Sequence, residues 1–283
     1  TEIYSKEEFD EIGHGGTEQY GAFSYKPGFA INPLKFVNGI AKYALSKKLK
    51  IFEHTKVDKI DKENSSYILR TKEGSIRSKK IVVATNGFYQ EGLIPQMDGR
   101  VLPVISNIIV TRKLNEDELN AHNFKTFSPI ANTKNLLYYY RKLPDNRILF
   151  GTRGDLIGSD QSNLAMSKKM EKFLKNIFPK WSNVTIDYNW RGLIALSQKL
   201  TPSIGKIDNE EIYYGFGYNG VGVSAAPWTG KQLSKLVFSS NSKELDISKI
   251  YKGLPKKFIF PQLRTFYFRL AVWFYAIKDK LNI

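Results

Sequence analysis

The sequence predicts an α/β (α+β) fold in two parts, one built around a short buried parallel strand and the other around a longer antiparallel sheet. Three observations carry this. Ile81-Val82-Val83-Ala84 is an all-apolar run of the kind found in a strand covered on both faces. A helix with its own start signal precedes it, and a glycine-rich turn that opens a second helix lies further along. From Val101 the texture changes to longer, aromatic-rich segments with the look of antiparallel strands.

Taken in order, residues 1–31 are rich in Gly and Tyr and read as loop with short extended pieces. Asn32-Pro33 is a helix start, with Asn as the cap and Pro at the first helical position. Leu34, Val37, Ile40, Ala41, Ala44 and Leu45 follow at spacings of three and four, which predicts a helix to about Ser46 with one buried face. A strand is expected at 50–53. An antiparallel meander should follow at 56–61, 66–71 and 75–77, with turns at Asn64-Ser65 and Glu73-Gly74. The buried strand comes next.

In the second part, strands are expected at 101–111, 136–142, 147–151 and 184–190, interrupted by a helix at about 163–177. A strand at 211–215 then leads through glycines to a helix at about 223–236. The tail ends in an aromatic helix.

Composition narrows the function classes. With no cysteine, disulfides, thiolate metal sites and a thiol nucleophile are all excluded. That is compatible with a reducing compartment, and the expected location is cytoplasmic. The net charge of +16 is high, but its lysine pairs (Lys47-Lys48, Lys79-Lys80, Lys168-Lys169, Lys256-Lys257) are scattered. A nucleic-acid footprint should cluster, so no nucleic-acid partner is expected. The opening residues hold no apolar leader, and no apolar run approaches the roughly 20 residues of a membrane span. The aromatic tail helix with Lys256, Lys257, Lys278 and Lys280 around it leaves contact with a membrane surface open beside packing on its own protein. His14, His54 and His122 have no ligand spacing, so no metal site is expected.

Gly215-Phe216-Gly217-Tyr218-Asn219-Gly220 matches G-x-G-x-x-G after a strand and before a helix. Small residues there let backbone N–H groups approach a ligand's oxygens. A pyrophosphate loop also needs a second parallel strand with an acidic residue about 20 positions on. Here Ser239-Ser240-Asn241-Ser242 follows instead. Gly13-His14-Gly15-Gly16 follows no strand and offers no substitute.

Taken together, Asn32-Pro33 and the segments KIFEHTKVDKI, KIVVATNGF, NLLYYYR, LFGTRGD, NWRGLIAL and YYGFGYNGVGVSAA, in this order, resemble the D-amino-acid oxidase, glycine oxidase and sarcosine oxidase superfamily of FAD enzymes. They look most like its γ-glutamylputrescine oxidase branch, from about residue 20 to the end. The resemblance implies an incomplete FAD-binding Rossmann-like domain plus an antiparallel-sheet substrate domain. It divides the chain into 1–99 (FAD-binding, second part), 100–195 (substrate), 196–240 (return to the FAD-binding domain) and 241–283 (tail). It also implies that the N-terminal βαβ unit with the pyrophosphate glycines is absent, as in a fragment, a split gene product or a truncated frame, so that a complementary N-terminal segment becomes a candidate partner.

By the same resemblance, Val57 matches the position whose backbone meets the adenine. Ala84, Thr85, Asn86 and Gly87 match the turn beside the ribose and pyrophosphate. Gly215 and the run Gly217, Tyr218, Asn219, Gly220, Val221 and Gly222 match the strand end and loop facing the flavin pyrimidine ring. The implied reaction is oxidation of a C–N bond, with a γ-glutamylated amine as the expected substrate. Alternatives are a sarcosine- or dimethylglycine-type demethylating dehydrogenase and a non-catalytic remnant or partner subunit. Relatives acting on α-amino acids carry an Arg soon after W-x-G, whereas Trp190-Arg191-Gly192-Leu193 is followed by Ile194. Sarcosine oxidases place a Lys where Gly222 stands. Lys199 departs from an Asp common in the branch. For substrate contact the candidates are Tyr138 and Tyr140, which share a strand face, together with Arg153 and Trp190. The tyrosines read equally as an ammonium cage or as aromatic core, and Arg153 as a substrate contact or an exposed turn residue. No catalytic acid or base is identified.

Overall fold

The computed structural model describes residues 1–238 and 247–281. In chain order its elements are β1 (Glu2–Tyr4), α1 (Lys6–Ile12), β2 (Ala22–Ser24), α2 (Pro33–Ser46), β3 (Val57–Glu63), β4 (Ser66–Thr71), β5 (Ser75–Ser78), β6 (Ile81–Val83), β7 (Leu102–Thr111), α3 (Glu116–Asn120), β8 (Ile130–Ala131), β9 (Tyr138–Lys142), β10 (Ile148–Arg153), α4 (Asp160–Ile177), β11 (Ile186–Leu196), β12 (Ser203–Lys206), β13 (Ile212–Phe216), α5 (Gly222–Phe238) and α6 (Arg264–Leu281). They fall into two compact units. One comprises Thr1–Ile31, Ile105–Gly192 and Arg269–Ile283, the other Asn32–Val104 and Leu193–Phe268.

The first unit holds a five-stranded antiparallel sheet in the order β11-β7-β10-β9-β8. Phe150 stands opposite Tyr140, and Gly151 opposite Tyr139. One face is closed by α4, whose Met170, Leu174 and Ile177 pack with Ile109, Tyr140, Ile148, Phe150, Phe178 and Trp181 in a core rich in stacked rings. Ser159 caps α4 by accepting the Ser162 N–H, so the helix starts three residues earlier than its apolar pattern suggests.

Residues 1–31, expected with the first segment, cluster with this sheet. Buried His14 sets its Nε2 2.9 Å from the Tyr140 hydroxyl of β9, and the Gly15 N–H donates to the His122 carbonyl at 2.7 Å. They also hold α1, a helix where the sequence suggests loop. Ser5 and Glu8 close it with a reciprocal capping box, at 3.1 and 2.7 Å.

In the second unit β6 runs parallel to β13, and β12 antiparallel on its other side. Helix α5 lies so close to β13 that a Cβ on Gly215 would stand 2.5 Å from Thr229 and 2.8 Å from Leu233. The meander forms as expected, as β3-β4-β5. It is tied to the start of β13 by the Tyr67 hydroxyl, which donates to Glu210 at 2.6 Å and accepts the Glu211 N–H at 2.8 Å.

Three expectations for this unit are corrected. Helix α2 forms over the expected residues, capped by Asn32, but none of its residues is buried, and Leu34, Val37, Ile40 and Leu45 are exposed. The expected strand at 50–53 does not form: among the described residues no strand includes any of these positions. In β6, Ile81 and Val83 are buried but Val82 is 47% exposed, so only one face of that strand is covered. Ser239-Ser240-Asn241-Ser242 lies outside the described residues.

Candidate functional site

In the second unit two loops meet at the end of the parallel strands. After β6 the chain passes through exposed Ala84 and Thr85, and Asn86 then takes a left-handed conformation (φ 47). Gly87 is buried, and a Cβ there would stand 3.2 Å from the Leu193 Cβ. After β13, Gly217 is also left-handed (φ 76), as are Asn219 (φ 51) and Gly220 (φ 101). These reversals bring the chain back over the strand end, a path that glycine and asparagine tolerate best.

Side chains then lock the loops. The Asn86 Oδ1 accepts the Gly217 N–H at 3.0 Å. The Asn219 N–H donates to the Ala195 carbonyl at 3.0 Å, its Oδ1 accepts the Ser197 N–H at 3.0 Å, and its Nδ2 donates to the Gly217 carbonyl. Tyr218 is buried with its hydroxyl toward the Gly215 carbonyl, and Val221 is exposed.

Helix α5 begins at Gly222, and Ala225 donates the bond to the Val221 carbonyl that opens it. The N–H groups of Gly222, Val223 and Ser224 therefore have no intrahelical acceptor, and they carry the positive end of the helix dipole. The Ser197 Oγ is buried without a hydrogen-bond partner among the described residues, 3.3 Å from where a Gly217 Cβ would stand. Val57 lies in the meander sheet, opposite Thr71 and beside a register shift.

In the first unit Tyr138 and Tyr140 do share a face of β9, and that face is turned into the core under α4. Tyr140 is buried, stacks on Phe150 and meets the His14 Nε2 at 2.9 Å. Tyr138 stacks on Phe173 at 5.0 Å, and burial pushes its hydroxyl pKa up to about 12. The ammonium beside the Tyr138 ring is that of Lys134, at 5.4 Å. The geometry is that of aromatic core, one of the two readings left open by the sequence. Tyr139 takes the opposite face, where its hydroxyl is 2.7 Å from the Ser106 Oγ and its ring fills the space left by Gly151. Arg153 is exposed at the end of β10, opposite Ser106 of β7, and forms no ion pair among the described residues. Trp190 is exposed in β11, while Arg191 beside it is held by Asp160 at 3.0 Å.

Tyr139 and Ser197 were missed by sequence reasoning. The alternation that paired Tyr138 with Tyr140 assigned Tyr139 to the other face, but nothing local said which face was covered. Lys199, an unexplained departure, donates to the Lys252 carbonyl at 2.7 Å and so fastens the chain beyond α5.

The comparison that decides the family is a match of residues 1–236 to the family model described as DAO, FAD dependent oxidoreductase. The chain belongs to this family. It is 28% identical to a probable oxidoreductase OrdL of Haemophilus influenzae over 94% of this chain and 61% of that protein. It is also 28% identical to a gamma-glutamylputrescine oxidoreductase of Escherichia coli, over 93% and 60%. The chain thus spans about three fifths of the length of these curated relatives. A glycine oxidase from Geobacillus kaustophilus superposes with a TM-score of 0.75 at 18% identity, covering 91% of this chain and 67% of that one. An L-proline dehydrogenase from P. horikoshii gives 0.71 at 20%, covering 86% and 65%. These likenesses show the shared fold, the FAD-dependent oxidase fold.

The family's cofactor is FAD, and the loops can be tested for fit to it. Free N–H groups at the α5 N-terminus, open space at Gly220 and the orphaned Ser197 hydroxyl suit the polar, electron-accepting end of a flavin. Among the described residues no parallel strand follows α5, so this turn is not set in the βαβ unit that grips a pyrophosphate. No group of acidic and histidine side chains suited to a metal ion occurs among the described residues. None of the described helices is long and apolar enough to cross a membrane.

Proposed function

We propose that this chain is the larger part of an FAD-dependent amine oxidoreductase that breaks a C–N bond in a γ-glutamylated amine. The observation that carries the reading is the loop of Gly217–Gly222, pinned by Asn86 and Asn219 beside an α5 N-terminus whose N–H groups lack intrahelical acceptors, with the buried Ser197 hydroxyl left without a partner among the described residues. Bound there, FAD supplies a two-electron acceptor for hydride. The protein's part is to bind and orient. The N–H groups of Gly222, Val223 and Ser224 favour negative charge at the end they face.

In the substrate the α-carbon C–H bond breaks with its electron pair, and the nitrogen lone pair forms the C=N bond. The N–H proton leaves to water. Hydrolysis of the imine then releases a carbonyl compound and ammonia, or the shorter amine where the oxidised nitrogen is secondary. The amine must therefore arrive neutral, and no residue of the chain is required as acid or base.

The substrate class rests on likeness to the gamma-glutamylputrescine oxidoreductase and on what stands where carboxylate-binding relatives place a cation: Ile194 after the W-x-G motif and Gly222 in the loop. A buried carboxylate without a cation is costly. Arg153 and Trp190 are the proposed substrate contacts. We also assign the adenine and ribose ends of the cofactor to Val57 and to Ala84–Gly87, and the pyrophosphate to a complementary segment with a glycine-rich βαβ unit.

The test is the visible spectrum of the chain after FAD is added and excess removed, with and without such a segment, followed by anaerobic addition of amines. Bleaching by γ-glutamylputrescine but not by D-amino acids is expected. Bleaching by D-amino acids alone would overturn the substrate class, and formaldehyde from sarcosine would favour a demethylating enzyme.

A further inference from the structure

The helix α6 presents an apolar stripe that none of the described residues covers. None of its residues is buried. Phe266, Leu270, Trp273, Phe274, Ile277 and Leu281 are all exposed, Trp273 by 65%. At 100° per residue these six fall within an arc of about 100°, the width of a helix face that normally packs against something. The helix is tethered elsewhere. The Asp279 carboxylate accepts the Asn135 and Leu136 N–H groups at 2.9 and 2.8 Å, and Arg269 donates to the Leu156 carbonyl at 2.9 Å.

Charge selects the occupant. Arg269 and Lys280 border the stripe on one side, and Lys278, with its ammonium 5.6 Å from the Phe274 ring, borders it on the other. The one acidic residue of the helix, Asp279, lies on the opposite side and is consumed by its tether. Lys256 and Lys257 precede the helix in a chain of net charge +16. A second copy docked by the same face would set these cations against their own counterparts. An anionic lipid surface takes the stripe and its basic borders together.

We propose that α6 lies in the plane of an anionic membrane surface, with the stripe from Phe266 to Leu281 immersed among the headgroups and acyl chains. Its 18 residues span roughly 27 Å, enough for a stable in-plane footprint.

The experiment is cosedimentation of the full chain with vesicles of phosphatidylglycerol and phosphatidylcholine, and with phosphatidylcholine alone. Partition should favour the anionic vesicles by roughly tenfold or more and weaken in high salt, with a blue shift of tryptophan fluorescence. A Leu270→Glu/Trp273→Glu variant should lose this binding while keeping its thermal midpoint, since both side chains are exposed. Equal or absent binding to the two vesicles would overturn the proposal. So would undiminished binding by the variant, or a dimer that the variant abolishes and that ignores lipid.

Discussion

The Asn86 Oδ1 accepts the Gly217 N–H at 3.0 Å, joining two loops 131 residues apart in sequence. Each partner sits in the left-handed region, which Gly217 enters freely and which most side chains other than that of Asn86 would resist. The bond therefore fixes the entrance to the loop that opens α5. Asn86→Gly keeps the backbone freedom and removes the bond, and should cost about 1 kcal/mol in urea unfolding. Asn86→Ala removes the bond and adds strain, and should cost about 1 kcal/mol more. Equal losses would show that the backbone conformation is not under strain. Both variants should retain less FAD after gel filtration.

Gly217→Ala tests the other partner. Its φ of 76 disfavours a side chain, and the new Cβ would press on the Ser197 Oγ at 3.3 Å. A loss of about 1 kcal/mol in stability is expected. Gly215→Ala should cost more, about 1–3 kcal/mol, because its Cβ meets Thr229 and Leu233 within 3 Å and α5 must move off the sheet. Thermal melts of the two variants, compared directly, check the order.

What the sequence disclosed and what it hid separate along physical lines. Asn32-Pro33 announced α2, because capping is a local signal and needs no tertiary partner. Ser5-x-x-Glu8 was an equally local signal for α1 and went unread beside the glycines around it. Strand formation at 50–53 was not local, since its hydrogen bonds must come from a neighbour. The loop glycines were visible as glycines. That Asn86 and Asn219 brace them was not, because Gly217, Ala195 and Ser197 lie far from them in sequence or across a turn. Alternation showed that Tyr138 and Tyr140 go together, and only the position of α4 showed which way they face.

The face of β9 away from α4 makes its own prediction. A Cβ on Gly151 would stand 2.1 Å from the Tyr139 ring, so Gly151→Ala should destabilise by about 1–3 kcal/mol. Tyr139→Leu opens that space and loses the bond to Ser106, costing about 1 kcal/mol alone. The double variant should lose less than the sum of the two, since the clash disappears with the ring. Additive losses in a chemical-unfolding cycle would mean that the ring and the glycine are not coupled.

Stability should also fall as pH drops below neutral, and His14 is the reason. Its Nδ1 accepts the Gly16 N–H at 3.1 Å, which places the proton on Nε2, facing the Tyr140 hydroxyl at 2.9 Å. Burial first, and then repulsion from His122, lowers its pKa to about 4. A second proton would set an N–H against the Gly16 N–H in a dry core. The unfolded chain takes up that proton near pH 6.5, well before the folded one does. Between pH 6.5 and about 4 the unfolded state therefore binds more protons, and falling pH favours it. The full contribution is present above pH 6.5. By pH 5 about 2 kcal/mol of it should be lost. His122, also lowered by burial, adds in the same direction. Urea midpoints measured from pH 7.5 to 5 should thus drop steeply for the natural chain. They should drop less for His14→Gln, which keeps a polar group beside Gly16 and Tyr140 but cannot titrate. Parallel pH profiles for the two would show that the folded chain takes up a proton at His14 as readily as the unfolded one, despite its burial against Phe9, Phe124 and Phe178.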